Sequence, residues 1–260
     1  MFEIFSIPAF KDNYIWLLVR GTQAFVVDPG DAAPVIARLE ADGLDLVGIL
    51  VTHHHADHQG GIGELCARYP AEVYAPASES ITGTTRPLRG GEVLDVLGTA
   101  VQVLAVPGHT LGHLAYLAPG VLFCGDTLFG AGCGRLFEGT PAQMSASLAQ
   151  IAALPDETLI YCAHEYTEMN LPFALTVEPD NAALRQRSAA VAHLRRAGLA
   201  TVPLTLGGET GEKATNPFLR CTQPAVIAAA LAHTATVEKT AGPRSGIEVF
   251  AALRGWRNNF

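Results

Sequence analysis

The sequence predicts an α/β layered domain followed by an all-helical segment, and a change of texture along the 260 residues carries that reading. Up to about His164, short apolar runs bounded by Gly, Pro and Asp alternate with stretches whose apolar residues recur at helical spacing. That alternation is the pattern of a layered α/β core with helices on its outer faces. Beyond Tyr166 the strand pattern stops and helical periodicity takes over, so the expected division is 1-166 and 167-260.

In order, Phe2 to Ile7, Tyr14 to Val19, Ala24 to Val27, Leu46 to Val51, Glu72 to Tyr74, Val101 to Val106, Leu114 to Leu117, Val121 to Cys124 and Thr158 to Cys162 read as strands. Ala33 to Ala41, Ile62 to Tyr69 and Ala142 to Leu154 read as helices, with Gly43 and Pro155 as stop signals. In the second part, Asn181 to Ala197 is an Ala/Arg-rich helix closed by Gly198, and Pro224 to Ala232 and Ser245 to Trp256 are two more. Thr201 to Phe218, with Gly207-Gly208 and Asn216-Pro217, reads as a long connection of little periodicity. No internal repeat or low-complexity tract breaks this order.

A hydrophobic content of 49% with 16% charged residues is that of a folded protein. Seventeen Lys plus Arg against 25 Asp plus Glu, a formal charge of -8, argues against a nucleic-acid partner, which needs a clustered basic surface. No apolar run approaches the roughly 20 residues of a membrane span, and the N-terminus lacks the order of a signal peptide, so a cytoplasmic monomer without a membrane partner is expected. Cys66, Cys124, Cys133, Cys162 and Cys221 form no C-x-x-C pair, which suggests neither a disulfide framework nor a thiolate metal site.

The chemistry concentrates in Thr52-His53-His54-His55-Ala56-Asp57-His58, at the end of an apolar stretch. Neutral imidazoles and a carboxylate together suit zinc or iron, whereas the same groups buried unpaired are costly. Taken alone, the run is also compatible with a solvated polar loop. In an extended segment residues two apart face the same way, so His53, His55 and Asp57 are expected to project together, with His58 at the bend and His54 elsewhere. Gly60 and Gly61 then allow a tight turn into the next helix. Three later candidates each follow an apolar strand: His109 after Pro107-Gly108, Asp126 after Gly125, and His164 after Ala163. Strand ends are where functional loops gather in layered folds, so the four places are expected to converge on one edge.

The residues THHHADHQGG, PGHTLGH, CGDTLF and CAHEYT match, in order, motifs of the metallo-β-lactamase superfamily, and the chain resembles it over roughly its first two thirds. The resemblance implies an αββα sandwich with one or two metals at its edge. It further implies that His53, His55 and His109 bind one metal, that Asp57, His58 and His164 bind the other, and that Asp126 bridges them. GAGCGRLFEGT, AHEYTEMNLPFA, TNPFLR and the ending FAALRGWRNNF carry a narrower resemblance, to the glyoxalase II or hydroxyacylglutathione hydrolase family. That likeness covers nearly the whole chain and implies a smaller helical domain that completes a thioester site.

The activity so implied is hydrolysis of S-D-lactoylglutathione and other 2-hydroxyacyl thioesters, the second step of methylglyoxal detoxification. Two divalent cations, Zn above all with Fe or Mn as alternatives, lower the pKa of a shared water from about 15.7 toward about 7, and the resulting hydroxide is the implied nucleophile. Asp57 and Asp126 would offset the cations' charge. Asp28, before Pro29-Gly30, is either a turn residue or an acceptor for a ligand histidine's second N–H, and the two roles are compatible. His54 and His113 are expected to be structural or to support the ligands from behind, not to bind metal themselves. Glutathione's carboxylates map onto Arg135, Tyr166, Arg254 and Arg257, the last two sharing a helix face at a spacing of three. The competing reading of that pair is a solvated helix end.

Phe137 stands where some family members have Tyr, Arg135 and Arg257 where some have Lys, and Trp256 and Asn258 alter the usual charged ending. Other activities kept open are a mononuclear-iron glutathione persulfide dioxygenase and a metal-dependent phosphodiesterase or nuclease of the same superfamily. A purely structural metal is disfavoured, because such sites are closed by four Cys or His ligands.

Overall fold

A computed structural model of the chain describes residues 1–235 and 245–260. The first sheet runs in the order β1 (Glu3–Ala9), β2 (Asn13–Arg20), β3 (Gln23–Val27), β4 (Asp45–Leu50), β5 (Glu72–Pro76) and β6 (Arg86–Leu88). Its first three strands are antiparallel and the rest parallel, with α1 (Ala32–Asp42) and α3 (Ile62–Arg68) making the crossovers from β3 to β4 and from β4 to β5 and a loop making the one to β6. Asp31 caps α1 through the N–H of Ala33, and Gly43, at φ 64°, closes it in the left-handed conformation that glycine adopts without strain.

The second sheet is built from β7 (Val93–Val96), β8 (Thr99–Ala105), β9 (Leu114–Ala118), β10 (Val121–Gly125), β13 (Leu159–Cys162) and β14 (Leu204–Thr205). β11 (Leu128–Phe129) and β12 (Gly132–Cys133) form a separate hairpin, and α4 (Pro141–Ala152) links it to β13. β14 reaches back from the C-terminal part to pair with the edge of this sheet.

Period-two alternation decides which face each residue buries. On β2, Ile15 and Leu17 point to a cluster with Val35 and Leu39 of α1 and Ile62 and Leu65 of α3. Trp16 and Leu18 point the other way, to a second cluster with Val103, Tyr116 and Phe123 of the other sheet. Both faces of β2 are therefore covered, and enclosing Leu17 completely contributes about 1.5–3 kcal/mol. The result is the αββα sandwich, extended by a helix-rich C-terminal part.

That part comprises α5 (Thr167–Val177), α6 (Ala182–Arg196), α7 (Glu212–Thr215), a 3-10 turn (Pro217–Leu219), α8 (Pro224–His233) and α9 (Gly246–Asn258). It shares the inter-sheet core: Phe173, Phe218 and Phe250 belong to the same cluster as Phe123 and Met144. Helix α5 had no sequence signal, because Pro172 lies inside it and it has no polar stripe. The expected connection from Thr201 to Phe218 contains β14, α7 and the 3-10 turn, each too short to show a period. No described helix is long and apolar enough to cross a membrane.

Candidate metal centre and substrate cavity

The loops after β4, β8, β10 and β13 converge, and hydrogen bonds between the sheets lock their meeting point. Leu114 N donates to Thr52 O at 2.9 Å, Tyr116 Oη to Val51 O at 2.6 Å, and Trp16 Nε1 to Cys162 O at 3.1 Å. The expected extended run from His53 to Asp57 stops at His55. There α2 (Ala56–Gln59) begins, so Asp57 turns toward His58 instead of His53. The turn comes early because Gly60 and Gly61 pack on the backbone of residues 29–32, where an added Cβ would lie 2.6 Å from Gly30 O and from Ala32 N respectively.

Two groups of inward-facing atoms result. His55 Nδ1 lies 3.0 Å from His53 Nε2 and 3.0 Å from His109 Nε2. Donors around a tetrahedral zinc, at about 2.0–2.1 Å each, stand about 3.3 Å apart, close to these separations. In the second group His58 Nε2 and His164 Nε2 lie 3.5 and 3.4 Å from Asp57 Oδ2. Asp126 stands between the groups: Oδ2 is 3.4 Å from His109 Nε2, and Oδ1 is 3.5 and 3.4 Å from His58 and His164 Nε2. His58 Nε2 and Asp126 Oδ1 are buried without a hydrogen-bond partner, and unpaired buried polar atoms aimed at one another are what a cation would satisfy. The donor set therefore fits divalent metal ions.

Partners behind the imidazoles keep these atoms inward. Thr52 Oγ1 meets His53 Nδ1 at 3.0 Å, Asp28 Oδ2 meets His58 Nδ1 at 3.0 Å, and His109 Nδ1 donates to Arg135 O at 2.8 Å. Asp28 also accepts from Thr52 N and Oγ1, both at 2.7 Å, while its own backbone sits at φ 54° before Pro29. Asp28 thus forms the turn and holds a histidine at once. His113, fully buried, accepts from Asp126 N at 3.2 Å and stacks on His53. His54 points away and meets Glu138 Oε1 at 2.7 Å.

Protonation differs between the groups. Burial, and then the neighbouring imidazoles, hold His53 well below the ordinary histidine pKa. Burial lowers His55 and His109 as well, against the pull of Asp126. Burial, the largest single influence, opposes charge on His164 and His58, but Asp126 and Asp57 together, joined by Asp28 at His58, outweigh it, raising His164 to about 10 and His58 well above its ordinary value. Asp57 and Asp126, although burial favours their neutral forms, are held far down by those histidines and stay ionised.

Cation ligands must be deprotonated, so a cation held by His58 and His164 would have to expel their protons at neutral pH. Affinity should therefore fall as pH drops below 7 and rise toward pH 10. Calorimetric titration of zinc into chelator-treated protein, in buffers of different ionisation enthalpy, should register proton release at pH 7; a heat independent of the buffer would contradict this account.

A cavity of about 270 Å³ opens on His109 and Asp126 and is lined by Arg135, Tyr166, Arg254 and Arg257. Arg254 is only 6% exposed: Nη1 donates to Cys133 O at 2.8 Å and the guanidinium lies 5.1 Å over the Phe218 ring. It is not a solvated helix end. Its Nε is buried without a partner. Arg257 Nη2 donates to Asn170 Oδ1 at 3.2 Å, and its pKa is lowered by burial and then by Arg254 and Arg135. Among the described residues none of these three cations has a carboxylate partner, so their wall suits an anion. Tyr166 stacks on His164 at 4.6 Å, and Phe137 packs edge-on against His55 and His109.

Residues 10–164 match the family model of the metallo-beta-lactamase superfamily, and residues 165–260 match that of the hydroxyacylglutathione hydrolase C-terminus. The hydroxyacylglutathione hydrolase of Dechloromonas aromatica is 68% identical over 100% of both chains. The chain belongs to the hydroxyacylglutathione hydrolase family. Among solved structures, ETHE1 from Myxococcus xanthus is 31% identical at a TM-score of 0.58, covering 64% of this chain and 76% of its own. TTHA1623 in a di-iron-bound form is 29% identical at 0.53, covering 62% and 91%. Both matches cover about as much of this hydroxyacylglutathione hydrolase family chain as its superfamily portion.

Within this family member, Asp12, Asn13, Cys133 and Asn170 touch the centre or its cavity and had no sequence signal. Asp12 and Asn13 sit in a hairpin turn about 150 and 44 residues from the partners they meet, His164 and Asp57.

Proposed function

We propose that this protein hydrolyses S-D-lactoylglutathione and other 2-hydroxyacylglutathione thioesters to glutathione and the hydroxy acid, D-lactate in the first case. The observation that carries the proposal is the position of Asp126, between two candidate ligand groups and at the mouth of a cavity walled by three arginines. In this reading His53, His55 and His109 hold one cation, Asp57, His58 and His164 the other, and Asp126 serves both. Zinc is the proposed metal, with iron or manganese compatible with the same donors.

Bound there, two divalent cations supply Lewis acidity toward the thioester carbonyl and a water acidic enough to provide hydroxide at neutral pH. The chain's own residues do the rest. Arg135, Arg254 and Arg257 take the carboxylates of the glutathione moiety, and the planar guanidinium forks fix its orientation. Tyr166, its hydroxyl kept protonated by burial and nearby carboxylates, offers a donor to the substrate. Phe137, edge-on to His55 and His109, would flank the acyl end. Asp57 and Asp126 balance the charge and keep the ligand histidines aligned.

Residues 1-166 would then carry the cations and share the glutathione contacts with 167-260, which supplies Arg254 and Arg257, in a cytoplasmic monomer acting on a small molecule. The full-length match to the Dechloromonas aromatica relative, through the helical part that supplies Arg254 and Arg257, supports thioester hydrolysis over dioxygenase or nuclease chemistry. Purified protein should release free thiol from S-D-lactoylglutathione, lose that activity on chelation and regain it with zinc. No thiol release, or full activity without metal, would sink the proposal.

A further inference from the structure

The two ligand groups are held from behind by different parts of the fold. The first leans on its own loops, His53 on Thr52 and His109 on the carbonyl of Arg135. In the second, His58 leans on Asp28, but Asp57 and His164 lean on the turn between β1 and β2, remote in sequence. There Asn13 and His164 form an isolated antiparallel bridge, Tyr14 N donates to Ala163 O at 2.7 Å, and Glu165 N donates to Asp12 O at 2.9 Å. The backbone that carries His164 is thus tied to the turn on both sides of the histidine.

From this bridged backbone two side chains reach ligand atoms. Asp12 Oδ1 lies 2.9 Å from His164 Nδ1, and Asn13 Nδ2 donates to Asp57 Oδ2 at 2.9 Å. A neutral imidazole has one N–H and one lone pair, so a carboxylate that accepts from Nδ1 places the lone pair on Nε2. Nε2 is the atom that faces Asp57 and Asp126. Asp57 Oδ2 likewise faces both His58 and His164, and the Asn13 amide occupies one of its lone pairs and leaves the other directed inward.

Asp28 is different, because through Thr52 it touches the supports of both groups. Asp12 and Asn13 make no hydrogen bond to His53, His55 or His109 among the described contacts.

We propose that Asp12 and Asn13 are positioning residues for the second cation position alone, setting its affinity independently of the first. The inference rests on the two-cation reading above. The turn then acts as a separable support, and one position can be weakened while the other stays intact.

Asp12→Ala and Asn13→Ala, stripped of metal and titrated with zinc against a chromophoric chelator, test this directly. The Asp12 side chain is 31% exposed on a turn, so its removal leaves the fold intact even if the Asn13 variant unfolds. One of the two dissociation constants should rise by about 10–100-fold while the other stays within about twofold, as expected for loss of an outer partner of a ligand. In zinc-loaded Asp12→Ala, ¹H–¹⁵N spectra should also lose the slowly exchanging Nδ1–H of His164. Equal weakening of both constants, or of neither, would overturn the inference with the two-cation reading still standing. A parent protein that takes up a single zinc would end both.

Discussion

Asp126→Ala is expected to lower kcat/KM for glutathione thioester hydrolysis by about 10³-fold or more and to strip the protein of tightly held metal. Each oxygen of this carboxylate faces a different ligand group, at 3.4 Å from His109 and at 3.4–3.5 Å from His164 and His58. Removing it leaves the first group without an inward carboxylate among the described residues and the second with Asp57, so each group loses a donor. Stabilisation by metals is worth several kcal/mol, and about 4 kcal/mol corresponds to about 10³ in rate. Asp126→Asn, which keeps the volume and one carbonyl oxygen, should lose nearly as much if the charge is what matters. Metal content, thiol release and thermal unfolding on the same sample separate this loss from misfolding. Activity within about tenfold of the parent in a folded Asp126→Ala protein would refute the role.

The second large effect is on stability. Glu212, completely buried, accepts from Ala131 N at 3.0 Å and from Asn216 Nδ2 at 2.9 Å, and pairs with the buried Arg187 guanidinium. Asn216 in turn reaches the carbonyls of Phe129 and Gly132, so α7 grips the β11–β12 hairpin by its backbone. Ala131 at the hairpin tip sits at φ 53°, a strained conformation for alanine that this grip sustains. Glu212→Ala leaves Arg187 charged and buried without its partner, which costs about 3–5 kcal/mol.

Chemical unfolding should show that loss, with a smaller one for Glu212→Gln, which keeps the acceptor oxygen. Because Cys133 in the hairpin and Arg135 just after it line the cavity, KM should rise in whatever folded fraction remains. A loss below about 1 kcal/mol would mean that the pair is dispensable.

The strand ends were legible because each candidate ligand follows an apolar run of plain β pattern, and parallel strands deliver their carboxyl ends to one edge. The extended period put Asp57 beside His53 and His55, and only the family motif set it with His58 and His164, since a four-residue helix leaves no period to read and the packing of Gly60 and Gly61 on residues 29–32 decides where the turn falls. Strands β6, β7, β11, β12 and β14, at two to four residues, escaped for the same reason. Helix α5 escaped because burial on most sides erases the polar stripe by which a helix is recognised in sequence.

The sequence by itself determined the donor chemistry and a layered α/β core with a helical extension, because these depend on residue type and on local period, and its motifs carried the resemblance that implied the αββα sandwich and the family. Tertiary structure decided which nitrogen of each histidine points inward, that Asp126 stands between two groups, and that Arg254 is buried instead of solvated. It also brought Asp12 and Asn13 to His164 and Asp57. These are contacts between residues far apart in the chain, created by sheet pairing and packing, and no local period encodes them.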